Sequence, residues 1–303
     1  MTSRLPAIFF ALPLVVSACS VKQTAVNIVG DAISGGGGVY ASDNDPDLIR
    51  EAVPFGLKTY ESLLAVSPDH QGLLLAAGSG YVGYAYLLEQ EADPLQATDV
   101  AQARHLRMRA SNLFLRGHDY AMRGIEVSHP GFTTTFEKDQ HAALAMTNKD
   151  DAAFLYWAGA GWAGAVSTDK ADPALIAVLP SAGALVGRVL ELDETYDAGA
   201  AQEFFISYEG SRPGGSAAAA REHYKRALEL SMGDRASVYL ALAEAVSIHE
   251  QNLTEFRGLI EAALAVDPDK VPELRLVNTI SHRRAEWLQQ RTPELFASTD
   301  VTE

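Results

Sequence analysis

The residues that could carry covalent or metal chemistry are few and scattered. The chain contains a single cysteine, Cys19, and no Gly-x-Ser-x-Gly, His-Glu-x-x-His or phosphate-binding Gly-Lys motif. Its histidines include no pair at the helical spacing of a metal site. We therefore predict no catalytic residues, no metal and no other cofactor. The eight histidines are His70, His105, His118, His129, His141, His223, His249 and His282.

The one cysteine stands where a lipid could be attached. Arg4 precedes a short apolar run, 5–16, which is well below the roughly 20 residues of a membrane-spanning helix. A charged start, a short apolar middle and small residues at the end are typical of a secretory signal peptide. Val16-Ser17-Ala18 before Cys19 resembles the lipobox of bacterial lipoproteins. We predict a lipoprotein signal peptide over 1–18 and lipidation of Cys19; the alternative is a secreted protein with a chance cysteine.

Lipidation at Cys19 would place the chain in the periplasm, anchored to a membrane. Ser20 rather than Asp follows the cysteine, which by analogy with lipoprotein sorting favours the outer membrane. The formal net charge of −15 repels nucleic acid phosphates and anionic lipid head groups. We therefore predict no nucleic acid partner and a membrane link through the acyl chains alone.

The rest of the chain predicts one all-α domain over 45–296. Residues 19–44 are interpreted as a lipidated flexible linker and 297–303 as a disordered tail. A Thr-rich break between predicted helices, at 128–148, is interpreted as a functional loop. No apolar run of membrane-spanning length is expected after the signal peptide. Hydrophobic periodicity predicts helices over 46–66, 71–90, 99–127, 149–167, 173–192, 198–208, 216–231, 234–249, 252–266 and 272–290.

A phrase of the type Leu-Ala-Val-Ser recurs at helix ends, beginning at residues 64, 125, 190, 228 and 264. The last two intervals lie near the ~34-residue period of tetratricopeptide repeats and the first two near twice that period. Leu74-x-x-Ala77-Gly78-x-x-Tyr81 matches the first helix of that repeat, and Ala220, Tyr224 and Ala227 match the second. These matches predict a tetratricopeptide-like array of helical hairpins, an α-solenoid; the alternative is a set of unrelated hairpins.

Several stretches together resemble one family. The segment 150–162, which reads DDAAFLYWAGAGW, is similar to TatT, the T component associated with tripartite ATP-independent periplasmic (TRAP) transporters. Other stretches agree in order and spacing, and the resemblance covers roughly 45–296. They are 52–55, 63–64, 81–85, 190–193, 199–200, 272–278, 283–285 and Trp287.

This resemblance implies a periplasmic lipoprotein with a tetratricopeptide-like fold that does not act as an enzyme. It implies an oligomer, a trimer, that associates with the substrate-binding P component of the transporter. It also implies a cavity that holds or passes a small, apolar ligand. The alternative function is a general scaffold lipoprotein for assembly of the cell envelope, and an envelope hydrolase is the weakest hypothesis.

Two groups of side chains are candidates for binding. An aromatic set on two Gly/Ala-rich helices is predicted to line the pore or groove, with core packing as the alternative. A stripe formed by Arg109, Arg116 and Arg123, at seven-residue spacing, is predicted to dock an acidic partner, with a solvated face as the alternative. The aromatic set is Tyr81, Tyr84, Tyr86, Phe154, Trp157 and Trp162.

Overall fold

The computed structural model describes residues 16–35 and 37–297, and over these ranges it contains helices and no strand. The prediction of an all-α protein is therefore confirmed for the described residues. Most of the predicted signal peptide and tail lies outside these ranges, as does the side chain of Cys19. The helices are α1 (Val16–Ser34), α2 (Gly37–Ala41), α3 (Pro46–Leu64), α4 (Gln71–Leu95), α5 (Val100–Ser128), α6 (Phe132–Lys138), α7 (Gln140–Ala145), α8 (Ala152–Thr168), α9 (Pro173–Asp193), α10 (Ala200–Ser211), α11 (Ala217–Leu230), α12 (Ala236–Leu242), α13 (Leu253–Ala265), α14 (Arg275–Gln290) and α15 (Thr292–Leu295).

Local sequence signals explain where many of these helices begin. Asp45 caps α3 by accepting hydrogen bonds of 3.1 Å from the backbone N–H groups of Asp47 and Leu48, and Pro46 occupies the first helical position. Asp99 and Asn252 cap α5 and α13 in the same way. The predicted helices from 46 to 290 are all present, with ends shifted by a few residues.

The predicted linker contains helical structure. α1 and α2 occupy most of 19–44, and α1 contacts α3 and α4. The backbone oxygen of Asn27 lies 3.2 Å from the His70 ring, and the Asn27 side chain accepts a 2.6 Å hydrogen bond from Ser67. Part of the segment is therefore packed against the start of α4.

The predicted loop at 128–148 is a pair of short helices, so that interpretation is wrong. Glu126 accepts hydrogen bonds from the N–H groups of Gly131 and Thr133, and these fix the start of α6. Phe132 and Phe136 are buried and stack with ring centroids 5.6 Å apart. Their contribution to the core explains why a Thr-rich segment, a poor helix former by composition, is ordered here.

Helix α9 is long and apolar enough to cross a membrane, contrary to the expectation that no such run exists. Length and composition are the only grounds for this, and core helices of globular domains often meet the same criterion. The second half of α9 packs on α8 through Leu185, Val186 and Val189, which are fully buried. The first half, including Ile176, is largely exposed.

Glycines allow α4, α5 and α8 to pack closely. A Cβ atom on Gly117 of α5 would lie 2.8 Å from the backbone oxygen of Gly78 on α4. A Cβ atom on Gly161 of α8 would lie 2.8 Å from the backbone oxygen of Phe114 on α5. Both distances are shorter than real Cβ contacts, so these three helices can approach only where no side chain intervenes.

The last long helix returns to the first ones. Arg284 of α14 donates a 2.7 Å hydrogen bond to Asp93 of α4, a contact between residues 191 apart in sequence. Arg275 donates a 2.9 Å hydrogen bond to the backbone oxygen of Ser42, and Arg283 pairs with Asp47 at 3.2 Å. Helix α14 therefore contacts α3, α4 and the segment after α2, near the N-terminal end of the described residues.

Candidate functional site

Two tyrosines, one on α4 and one on α8, mark the candidate site. Tyr86 of α4 is 40% exposed, yet burial among protein atoms is the largest cause raising its pKa. Burial also raises the pKa of Tyr156 on α8, whose hydroxyl has no hydrogen-bond partner among the described residues and is not sealed from solvent. The charge of Glu203 raises the pKa of both tyrosines, so both lie near this carboxylate. A side chain that is accessible to water but densely surrounded by protein lies in a recess.

We call the space bounded by Tyr86, Glu89, Tyr156, Arg235 and Arg284 the central recess. Its apolar wall is aromatic, because the Tyr156 ring lies 5.1 Å from Trp157 and 5.5 Å from Tyr196 by centroid distance. Such a wall gives a bound molecule a large contact area with few rotatable bonds.

The guanidinium of Arg284, in the wall of the recess, is bound by two carboxylates. Its guanidinium donates two hydrogen bonds to Glu244, of 3.1 and 2.5 Å, and one of 2.7 Å to Asp93. The same group lies 4.3 Å from the ring centroid of Trp287. Burial lowers the pKa of Arg284, but the two carboxylates outweigh it and the pKa is raised. Arg284 therefore stays charged and joins α4 and α14 to the π-helical turn Ala243–Ser247 that follows α12.

Arg235 holds a strained turn on the opposite wall. Asp197 and Ala198 have φ angles of 44° and 52°, in the left-handed region that disfavours residues with a side chain. Arg235 donates a 2.9 Å hydrogen bond to the backbone oxygen of Asp197 and pairs with its carboxylate at 2.8 Å. It also pairs with Glu203 at 3.3 Å. The buried guanidinium thus fixes the turn that carries Tyr196 into the recess.

Glu89 is the acidic group of the recess without an ion pair among the described residues. Ser167 of α8 donates a 2.6 Å hydrogen bond to its Oε1. Burial raises the pKa of Glu89 to about 7; Asp93 acts in the same direction, whereas the Ser167 hydrogen bond and the charges of Arg284 and Lys170 oppose it. The carboxylate therefore changes charge near neutral pH.

The structure does not bring the six predicted aromatic residues together. Tyr86 and Trp157 face the central recess, and Tyr84 is half-buried between two parts of the core. Tyr81 and Phe154 are buried in the core, where Phe154 occupies the space left by Gly124. Trp162 stacks on His118 at 3.8 Å on another face of α8. Helical rotation turns these positions to different neighbours, and their binding of a ligand stays a prediction.

The predicted arginine stripe is divided in a similar way. Arg116 pairs with Glu61 and lies 4.9 Å from the Tyr81 ring centroid, so it binds α5 to its own neighbours. Arg123 donates a 3.1 Å hydrogen bond to the backbone oxygen of Pro68. Arg109 is exposed and has no ion pair among the described residues. Of the three, only Arg116 forms an ion pair among the described residues, and both Arg109 and Arg123 are exposed.

His118 and His129 each contact a residue that is distant in sequence. The Nδ1 atom of His118 lies 2.9 Å from the backbone oxygen of Ala158, and burial lowers the pKa of His118 to about 4. His129 lies 2.7 Å from Asp151. Over residues 16–35 and 37–297, no three His, Cys, Asp or Glu side chains are grouped as metal ligands would be.

Sequence analysis missed the charged part of the central recess. Glu89, Glu203, Arg235 and Glu244 carry no pattern that separates them from the many charged residues on helix surfaces, since burial depends on which helices meet. Arg284 lies in the run 283–285 on which the family resemblance partly depends, and that was the one available signal.

The chain is similar in sequence to proteins of one known family. A family model described as TAtT, TRAP transporter T-component, matches residues 42–296, which is most of the chain. An uncharacterized protein of Treponema pallidum (strain Nichols) is 29% identical over 266 residues, which cover 85% of this chain and 82% of that protein. The family match coincides with the helices that surround the central recess.

Proposed function

Since the chain belongs to the TRAP transporter T-component family, we propose that it binds the substrate-binding P component of such a transporter in the periplasm. The family match across 42–296 is the observation that carries this proposal. The family groups accessory proteins of transporters rather than enzymes. The resemblance stated from the sequence leads to the same family.

We propose further that the helices form tetratricopeptide-like hairpins stacked as an α-solenoid. Extensive contact between successive helices, such as α4 with α5, α10 with α11 and α12 with α13, supports this arrangement. The contacts of Arg284 and Arg275 with the N-terminal helices support a solenoid whose ends meet. A curved array of this kind offers both an outer surface for a protein and an inner surface for a ligand.

The proposed role includes holding or passing a small ligand. The central recess supports it, because Tyr86 and Tyr156 are surrounded by protein atoms and Tyr86 remains accessible to water. Trp157 and Tyr196 would contact the apolar part of such a ligand.

We also propose how the chain is attached to a membrane and that it forms an oligomer. Lipidation of Cys19 would anchor the chain in the periplasm, at the outer membrane if Ser20 directs sorting. A homo-oligomer, such as a trimer, is proposed from the family alone. A Cys19→Ser variant expressed in the native host should lose membrane partitioning; persistent partitioning would overturn lipidation.

The decisive experiment is capture of the partner. The tagged full-length protein would be purified from native envelopes after mild cross-linking, and bound proteins identified by mass spectrometry. Enrichment of a periplasmic substrate-binding protein encoded beside a TRAP permease would support the proposal. Enrichment of envelope-assembly proteins instead would overturn it in favour of a scaffold, and a tagged periplasmic protein of similar charge provides the background.

A further inference from the structure

The central recess carries more negative than positive charge. Three arginines reach it or its edge: Arg107, Arg235 and Arg284. Each is already bound to carboxylates, since Arg107 pairs with Asp93 at 3.0 Å and the other two bind two carboxylates each. The five carboxylates that face these cations or the tyrosines are Glu89, Asp93, Asp197, Glu203 and Glu244.

An anionic ligand would therefore meet no arginine that is free of a carboxylate, and the remaining cation near Glu89, Lys170, lies exposed on the turn after α8. To bind Arg284, a ligand carboxylate would have to displace Glu244 or Asp93 and leave that group without its partner in a buried place. Displacing one member of a buried ion pair is strongly unfavourable. A cationic group would instead meet Glu89, which has a hydrogen bond from Ser167 but no ion pair among the described residues.

The aromatic lining favours the same kind of ligand. Tyr86 lies one helical turn before Glu89 on α4, so the ring and the carboxylate lie on the same face of the helix. A cation held by the carboxylate would lie close to the face of an electron-rich ring, an arrangement that attracts cations. Tyr156 and Trp157 provide the apolar surface that would cover the rest of the molecule.

We propose that the central recess binds an organic amine, or a ligand with a similar cationic head group, which pairs with Glu89 against the Tyr86 ring while its apolar part packs on Tyr156 and Trp157. This inference rests on the proposed ligand-holding role and names the class of ligand. The groups facing Glu89 are Ser167 and Lys170 from α8 and the turn after it, Asp93 and Tyr86 from α4, and Arg284 from α14. Ionised Glu89 should bind the amine more tightly than protonated Glu89.

The test uses three water-soluble probes with the same phenylethyl body: 2-phenylethylamine, 2-phenylethanol and 3-phenylpropanoate. Their affinities for the full-length protein would be measured by isothermal titration calorimetry at pH 8. We expect the amine to bind at least tenfold more tightly than the carboxylate and more tightly than the alcohol. The amine affinity should fall at pH 5.5, where Glu89 is protonated.

The Glu89→Gln variant should weaken amine binding at least tenfold, remove its pH dependence and leave alcohol binding within twofold. The matched control is Glu261→Gln, which removes the same charge from an exposed position on α13 and should change nothing. Circular dichroism checks folding; if Glu89→Gln does not fold, Tyr86→Leu provides an independent variant with an expected several-fold loss for the amine.

Equal or tighter binding of the carboxylate, or an unchanged amine affinity in a folded Glu89→Gln variant, would overturn the inference while leaving the ligand-holding role intact. Failure of all three probes to bind would overturn both the inference and the ligand-holding role. Capture of the P component is measured separately and would stand in either case.

Discussion

The hydroxyl of Tyr81 on α4 donates a 2.7 Å hydrogen bond to Oε1 of Glu61 on α3. Tyr120 of α5 donates a second hydrogen bond, of 3.0 Å, to the same oxygen, and Lys58 and Arg116 bind the carboxylate as well. Burial alone would raise the pKa of Glu61, but these four groups outweigh it and hold the pKa below its usual value. One carboxylate thus ties three helices together.

Replacing Glu61 by Gln should lower the free energy of unfolding by about 1–3 kcal/mol, because charge-assisted hydrogen bonds are lost and tyrosine hydroxyls lose a strong acceptor. Urea denaturation would measure this, with the exposed Glu137→Gln as control. A double-mutant cycle with Tyr81→Phe should show coupling; additive effects would mean that the hydrogen bond does not stabilise the fold.

The contribution of Glu61 to stability also depends on pH. Since the pKa of Glu61 is lower in the folded protein than in the unfolded chain, this stabilisation is present above the unfolded pKa and is lost as pH falls through the folded pKa.

The close packing of α5 and α8 predicts opposite effects for two glycine substitutions. Gly161→Ala should destabilise the protein by about 1–3 kcal/mol, because the new Cβ meets the backbone of Phe114 and His118. Gly83→Ala, also within a helix, should be neutral or stabilise by about 0.5–1 kcal/mol, because nothing lies within 4 Å of its added Cβ. Thermal melting of both variants tests this, and a shift of the same sign in both would contradict it.

The raised pKa of Glu89 predicts a pH-dependent gain in stability for Glu89→Gln. The unfolded chain ionises this group near its ordinary value of 4.5 and the folded protein near 7, so wild-type stability falls as pH rises through this window. Gln cannot ionise and keeps a hydrogen-bonding side chain beside Ser167. The variant should therefore gain about 1–3 kcal/mol relative to wild type between pH 4.5 and pH 8. Parallel stability curves across this range would show that Glu89 is not buried as described.

Arg109 and Arg116 should differ when their charges are reversed. Arg116→Glu places a second carboxylate beside Glu61, so it should lower the melting temperature whether or not a partner binds there. Arg109→Glu should leave the melting temperature unchanged, because the side chain is exposed and without an ion pair in the described ranges.

If the arginine stripe docks the P component, Arg109→Glu should slow association at low salt at least several-fold by surface plasmon resonance. An unchanged association rate would remove this surface from the proposed interface.

The helices could be predicted from the sequence because their determinants are local. Hydrophobic period, an N-cap such as Asp45 and breaks at Gly214 or Pro68 require only neighbouring residues. The short helices α6 and α7 were missed because Phe132 and Phe136 become ordered through core contacts that their sequence neighbours do not reveal. Tertiary packing there overrides weak propensity.

The candidate site was only partly predictable for a related reason. The aromatic residues were singled out by type, but only contacts between distant helices decide that Trp157 faces the recess and Trp162 faces His118. The role of Glu89 depends on Ser167, which is 78 residues away. Charges that face an interior cannot be separated from surface charges until the helices around that interior are known.

The hydrogen bond between Arg284 and Asp93 has a consequence for the order in which the protein forms. A row of hairpins that touch only their neighbours can grow one unit at a time from its N-terminus. Here the wall around the recess is completed only when the segment containing residue 284 has arrived, because α14 supplies its last side. Until that late step the wall stays open on the side that α14 supplies.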